Sequence, residues 1–121
     1  VNRIRRENPA LHDNRSLRFM PVDNDRLLAY SKRSPDGRNT ILTIVNLDAQ
    51  QTQVGWVDVN LEALGLAPDT DYVVHDLLGE RRFTWRTGRN FVMLEPHHAP
   101  AHVFRVLPPP RTEQQFDAYA G

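Results

Sequence analysis

Spacing between apolar residues changes once, sharply, along the 121-residue chain. In the first segment Val1 and Ile4 lie three apart, with Arg3, Arg5, Arg6 and Glu7 on the other positions, as on one face of a helix. Pro9 disfavours the α conformation at Asn8, which predicts that the helix stops there. This is the pattern of a helix's last turns, and its apolar stripe needs cover. Beyond His12 the period shortens to two. Leu17 and Phe19 share a face, Pro21-Val22 leads to the polar corner Asp23-Asn24-Asp25, and Leu27 to Lys32 is a mixed apolar and aromatic run. Ser34-Pro35-Asp36-Gly37-Arg38 then predicts a hairpin. Proline presets φ, aspartate bonds its own backbone, and glycine takes positive φ.

The return strand, Thr40 to Asn46, is dense in β-branched residues and apolar on both faces, which predicts a central strand covered on two sides. In the next strand, Gln53 to Leu61, Val57 and Val59 face one way and Trp56 and Asp58 the other. Leu61 to Leu66 reads as one helical turn closed by Gly65. Pro68 to Asp71 is a turn, and Tyr72 to Asp76 a strand. Arg81 to Arg86 and Asn90 to Leu94 are expected to pair as a second hairpin through Thr87-Gly88-Arg89. Ala101 to Leu107 is the last strand, stopped by Pro108-Pro109-Pro110, which cannot donate ladder bonds. Short strands with a turn signal every ten residues or so predict an all-β fold. It is an antiparallel β-sandwich of seven or eight strands, preceded by the end of an α-helix.

Composition narrows the function classes. A chain of this length fits one domain and is far too short for a (β/α)₈ barrel, which needs about 200 residues. Fifteen Lys+Arg balance fifteen Asp+Glu, which argues against a nucleic-acid clamp. No apolar run approaches the ~20 residues of a membrane span. With no cysteine, disulfides, thiolate nucleophiles and zinc–thiolate sites are excluded together. Lys32 is the only lysine, and a chain beginning at Val1, mid-pattern, is expected to be a piece of a longer protein.

Candidate chemistry is thin. His98 and His102 are four apart, but Pro96 and Pro100 exclude a helical zinc pair, so no metal site and no cofactor are expected. The carboxylate pairs Asp23/Asp25 and Asp69/Asp71 lie in turns, where Asp serves its own backbone, and not in the buried setting that glycosidase chemistry requires. Ser16, Ser31 and Ser34 lack a Gly-x-Ser-x-Gly frame. No catalytic residue is therefore expected on the chain. Trp56 and Trp85, with Tyr30, Tyr72 and Phe83, are candidates for stacking on sugar rings, although packing in a core or interface is favoured. The arginine clusters Arg3-Arg5-Arg6 and Arg81-Arg82-Arg86-Arg89 fit a solvated or partner-facing surface better than an anion site.

Five stretches carry a resemblance. Arg5 to Leu11, Arg-Arg-Glu-Asn-Pro-Ala-Leu, looks like the end of the last barrel helix of the α-amylase superfamily, glycoside hydrolase family 13, where it enters a C-terminal antiparallel sandwich. The others are narrower: Asp23-Asn24-Asp25 with Leu28 to Lys32; Val45 to Asp48 running to Gly55-Trp56-Val57-Asp58; His75 to Gly79; and Pro96-His97 with Pro100 to Val106. With Arg111-Thr112-Glu113 and Phe116-Asp117, they resemble the C-terminal end of the bacterial α-1,4-glucan:maltose-1-phosphate maltosyltransferase branch. The trehalose synthase branch is less similar in these stretches, and a stand-alone carbohydrate-binding module is a further alternative. The resemblance implies residues 1–12 as the end of a barrel helix, 13–107 as the sandwich and 108–121 as a tail docking Phe116 and Tyr119 on a neighbouring domain or subunit. It implies a cytoplasmic retaining glycosyltransferase, possible as a homodimer, that moves a maltosyl unit from α-maltose 1-phosphate to an α-1,4-glucan. The reactive carboxylates would lie upstream of Val1. The implied partner of this segment is the upstream barrel.

Overall fold

The computed structural model describes residues 2–67, 70–86 and 88–107. A short helix, α1 (Asn2–Glu7), is followed by a 3₁₀ turn, η1 (Pro9–His12), and eight strands. The strands are β1 (Arg18–Met20), β2 (Leu27–Arg33), β3 (Thr40–Asn46), β4 (Gln53–Asp58), β5 (Tyr72–Asp76), β6 (Arg82–Trp85), β7 (Arg89–Leu94) and β8 (Ala101–Leu107). Six form one antiparallel sheet in the order β1-β2-β3-β8-β5-β6, and β4 and β7 form a second, two-stranded sheet. The fold is the expected all-β sandwich with a helical end before it.

Local chemistry explains the start. Asn8 leaves the helix at φ −126°, ψ 90°, the extended conformation that a following proline favours. Its amide donates to the Ile4 carbonyl at 2.8 Å. Asn39, at the foot of the β2–β3 hairpin, donates to Asn8 Oδ1 and accepts from the Ala10 amide, both at 2.9 Å. Asn8 and Asn39 are both buried, so this polar exchange bolts η1 onto the sheet. The 3₁₀ turn itself was not foreseen.

The hairpin closes with Gly37 at φ 72°, as predicted, and pairs Arg33 with Thr40 through Leu27 with Asn46. That register puts Leu27, Ala29, Leu42 and Ile44 on the inner face and Ile41 and Thr43 on the outer one. All are buried, because β4–β7 covers the inside and η1 approaches the outside. β3 is thus the two-sided central strand. The core between the sheets is built from Leu42, Ile44, Val57, Tyr72, Val74, Leu94 and Phe104, with Trp85 and Leu64 at its margins.

One pairing differs from expectation. β6 and β7 do not form a hairpin: β6 pairs with β5, and β7 with β4 in the other sheet. Three intervening residues look locally like a hairpin loop, yet the tertiary pairings compete and win. The turn after β5 brings the Glu80 amide back to the Asp76 carbonyl at 2.7 Å and seats β6 beside β5. Trp85 is then packed edge-on against Tyr72 and Phe104. The Gly88 carbonyl accepts from Val59, so the chain has already crossed to the β4 sheet. β4 also ends at Asp58, short of the Leu61 boundary, and 61–66 forms turns closed by Gly65 at φ 76°. Pro68 and Asp69 of the turn expected at Pro68 to Asp71, the stop at 108–110 and the tail lie outside the described residues.

Candidate functional site

Two faces and one cleft of the sandwich present chemistry. The first face is the outside of β4–β7. Alternation turns Val57, Val92 and Leu94 inward, leaving Val54, Trp56, Phe91 and Met93 outside with 43–51% of their surface exposed. The register places Val54 opposite Met93, Trp56 opposite Phe91 and Asp58 opposite Arg89. Trp56 and Phe91 meet edge to face, centroids 5.5 Å apart at 66°, and Arg89 lies 5.7 Å from the Trp56 ring centroid. Arg89 also sits 3.4 Å from both Asp23 and Asp58. Asp23 anchors the edge, its Oδ1 accepting from the Trp56 amide at 2.7 Å. The result is an apolar strip with a charged end, beside an open cleft lined by Asp23, Asn24, Asp25, Trp56 and Phe91.

The two tryptophans do not share this face. Trp56 is on it, whereas Trp85 is 9% exposed and belongs to the inter-sheet core. That Arg81 to Arg86 holds a strand is legible in the sequence; its pairing with β5 is not, and that pairing decides where the ring goes.

The second face is the outside of the six-stranded sheet where the helical end lies. A cleft of about 430 Å³ runs between Ile4, Leu11 and His12 on one side and Tyr30, Thr43 and Val103 on the other. Phe19 (65% exposed) meets Tyr30 edge-on at 6.2 Å, and Leu78 (51% exposed) lines the same cleft. This is the surface on which Ile4 of α1 finds partial cover.

The histidines are dispersed. His12 Nε2 lies 2.9 Å from the Arg5 carbonyl, and His98 donates its amide to the Glu95 carbonyl in a turn. His102 enters the sandwich, stacked on Phe104 at 5.1 Å with Nδ1 3.5 Å from the buried Asp76 carboxylate. Among the described residues no three His, Asp or Glu side chains are grouped so as to hold a metal ion. Two serines serve turns: Ser16 Oγ accepts from the Arg33 amide at 2.8 Å, and Ser34 Oγ accepts from the Asn39 amide at 3.0 Å and donates to the Asp36 carboxylate at 2.6 Å. That bond holds the Asp36 carboxyl below the usual range, as the Arg15 guanidinium does for Asp13 and the Gln50 amide for Asp48. Burial pushes the Tyr72 phenol up to about 12, with the Asn90 amide opposing it. None of these groups has its charge poised for proton transfer near neutrality.

A cleft that no motif announced lies at the hairpin end, where Ser16, Arg18, Arg33, Gly37 and Glu62 converge. Only tertiary structure assembles it, from three separate stretches of chain.

The arrangement matches known proteins. Residues 19–106 match the family model described as GLGE, C-terminal. The chain is 44% identical over 112 residues to the α-1,4-glucan:maltose-1-phosphate maltosyltransferase of Chlorobaculum tepidum, covering 88% of this chain and 17% of that protein. It is 48% identical over 110 residues to maltosyltransferase 2 of Streptomyces coelicolor, covering 90% and 16%. The chain therefore spans about a sixth of the length of these relatives. Among solved structures, an AmyP variant in complex with maltotriose superposes with a TM-score of 0.61 at 17% identity, over 89% of this chain and 19% of that one, a likeness of fold. With the family model spanning most of the sandwich and relatives this close, the chain belongs to the GLGE C-terminal domain family.

Proposed function

We propose that the chain serves as the non-catalytic C-terminal supporting domain of a glucan-elongating maltosyltransferase. The parent enzyme would transfer maltosyl units from α-maltose 1-phosphate to an α-1,4-glucan with release of phosphate. The observation that carries this reading is the 40–48% identity to maltosyltransferases across most of the chain. Residues 1–12 are the end of a barrel helix, 13–107 the sandwich and 108–121 a tail, and the upstream barrel of the same polypeptide docks on the α1–η1 face. Exposed Phe19 and Leu78 beside the α1 cleft support that placement. A cytoplasmic, homodimeric parent enzyme is part of the same proposal; no helix among the described residues is long and apolar enough to cross a membrane.

Phosphate release from α-maltose 1-phosphate tests it. The 121-residue chain should release none, and the polypeptide that includes the upstream domain should turn over. Turnover by the chain alone overturns the reading.

A second reading, direct contact with glucan, has one observation in its favour: the exposed Trp56 beside Phe91. Titration with maltoheptaose should then change tryptophan fluorescence in the native chain and not in Trp56→Ala. An unchanged spectrum removes it.

A further inference from the structure

The arginine clusters of the sequence are spoken for, at least in part. Arg3 approaches Glu7 and Glu80, and Arg89 pairs with Asp23 and Asp58. Arg33 is different. It ends β2 on the inner register, and its guanidinium lies against two glycines that both hold positive φ, Gly37 and Gly65. A methyl group on either would meet Arg33, at 2.9 Å from Nη2 in the case of Gly37. Two backbone positions that exclude side chains thus make room for one cation. Yet its hydrogen bonding is nearly empty: Nη2 reaches the Gly37 carbonyl at 3.4 Å, and Nε is buried with no partner. Guanidinium stays charged at any ordinary pH and offers five donors, so a half-buried one with a single long hydrogen bond calls for an external acceptor.

The surroundings supply the rest of a site. Arg33 opens into a cleft of about 950 Å³ lined also by Arg15, Ser16, Arg18, Asp36 and Glu62. Asp13 on its rim is neutralised by Arg15 through two contacts of 3.0 Å. Asp36 is occupied by Ser34 and by the Arg38 amide. Arg18 makes no ion pair among the described residues, and Ser16 Oγ, already accepting from the Arg33 amide, keeps its own proton to donate. Against these donors stands Glu62, a carboxylate with no hydrogen bond or ion pair among the described residues.

We infer that this cleft is a phosphate-type oxyanion site, with Arg33 as its anchor and Arg18 and Ser16 as auxiliary donors. Two cations and a hydroxyl favour a dianion over a carboxylate, and the planar fork of Arg33 suits two oxygens of one ligand. The inference is independent of the activity proposed above.

Inorganic phosphate titrated into the 121-residue chain at low ionic strength tests it, read by the ¹⁵N–¹H shift of Arg33 Nε and by ³¹P line width. Saturable changes in both are expected. Arg33→Gln should weaken binding by roughly tenfold or more, Arg33→Lys by less because charge remains, and Arg18→Gln by a few-fold. Glycerol phosphate in a parallel arm separates free phosphate from a monoester as the source, and acetate should bind more weakly than either. Arg18→Gln keeps the test available if Arg33→Gln fails to fold. Absence of a saturable Arg33 shift, preference for acetate, or unchanged affinity in Arg33→Gln overturns the site. So does strong coupling between Arg33→Gln and Glu62→Gln in unfolding, which would make Glu62 the cation's partner.

Discussion

Tyr72 illustrates how one buried group carries a measurable sign. Its ring is fully buried and its hydroxyl lies 3.2 Å from the Asn90 amide, so the folded chain holds the neutral phenol with its pKa at about 12. Unfolding releases it to ionise near 10. Stability should be unaffected by this group below about pH 10 and fall as pH rises toward 12, because only the unfolded chain gives up the proton easily. Urea midpoints measured between pH 9 and pH 12 check this, and Tyr72→Phe should flatten the decline while costing about 1 kcal/mol at neutral pH for the lost hydrogen bond. Gly65 is a second such position. Its φ of 76° is left-handed and the Arg33 guanidinium occupies the side-chain volume. Gly65→Ala should therefore lower stability by about 1–2 kcal/mol in chemical denaturation.

At the scale of elements, the joint between η1 and the β2–β3 hairpin is a polar weld. Asn39→Ala removes the acceptor of the Ala10 amide and the donor to Asn8 together, leaving buried groups unpartnered. A loss of about 2 kcal/mol is expected in urea denaturation, with hydrogen exchange accelerated first in 8–12. Asp76 welds the other side, where it accepts the Leu78 amide at 3.1 Å and faces His102. Asp76→Ala should cost about 1–3 kcal/mol by the same measurement, since the Leu78 amide then loses its acceptor and His102 its neighbouring carboxylate. Both welds couple elements far apart in the chain, which is why neither was visible in local spacing. The hairpin itself was legible, because Pro35, Asp36 and Gly37 act through their own backbone preferences and need no distant partner.

Over the whole molecule, stability rests on the seam between a six-stranded and a two-stranded sheet. Ile44 is fully buried on the central strand, so Ile44→Ala should destabilise by about 2–5 kcal/mol in chemical denaturation. The seam also sorts the tryptophans, Trp85 into the core and Trp56 onto the surface. The layout sets the six-stranded sheet behind an α1–η1 face on which Phe19 and Leu78 are exposed.

Alternation by twos, the β-branched density of 40–46 and the turn residues at 34–38 determined strand character, the central strand and the first hairpin, because each acts through neighbours in the chain. The same spacing determined that Val57 and Val59 point inward while Trp56 points outward. Strand partners were decided only in three dimensions. β6 and β7 are near in sequence but lie in different sheets, since the burial of Trp85 against Tyr72 and the Gly88–Val59 bond are contacts between distant segments. The Arg33 cleft belongs to this second kind: three stretches of chain must meet before an unpaired guanidinium has walls around it.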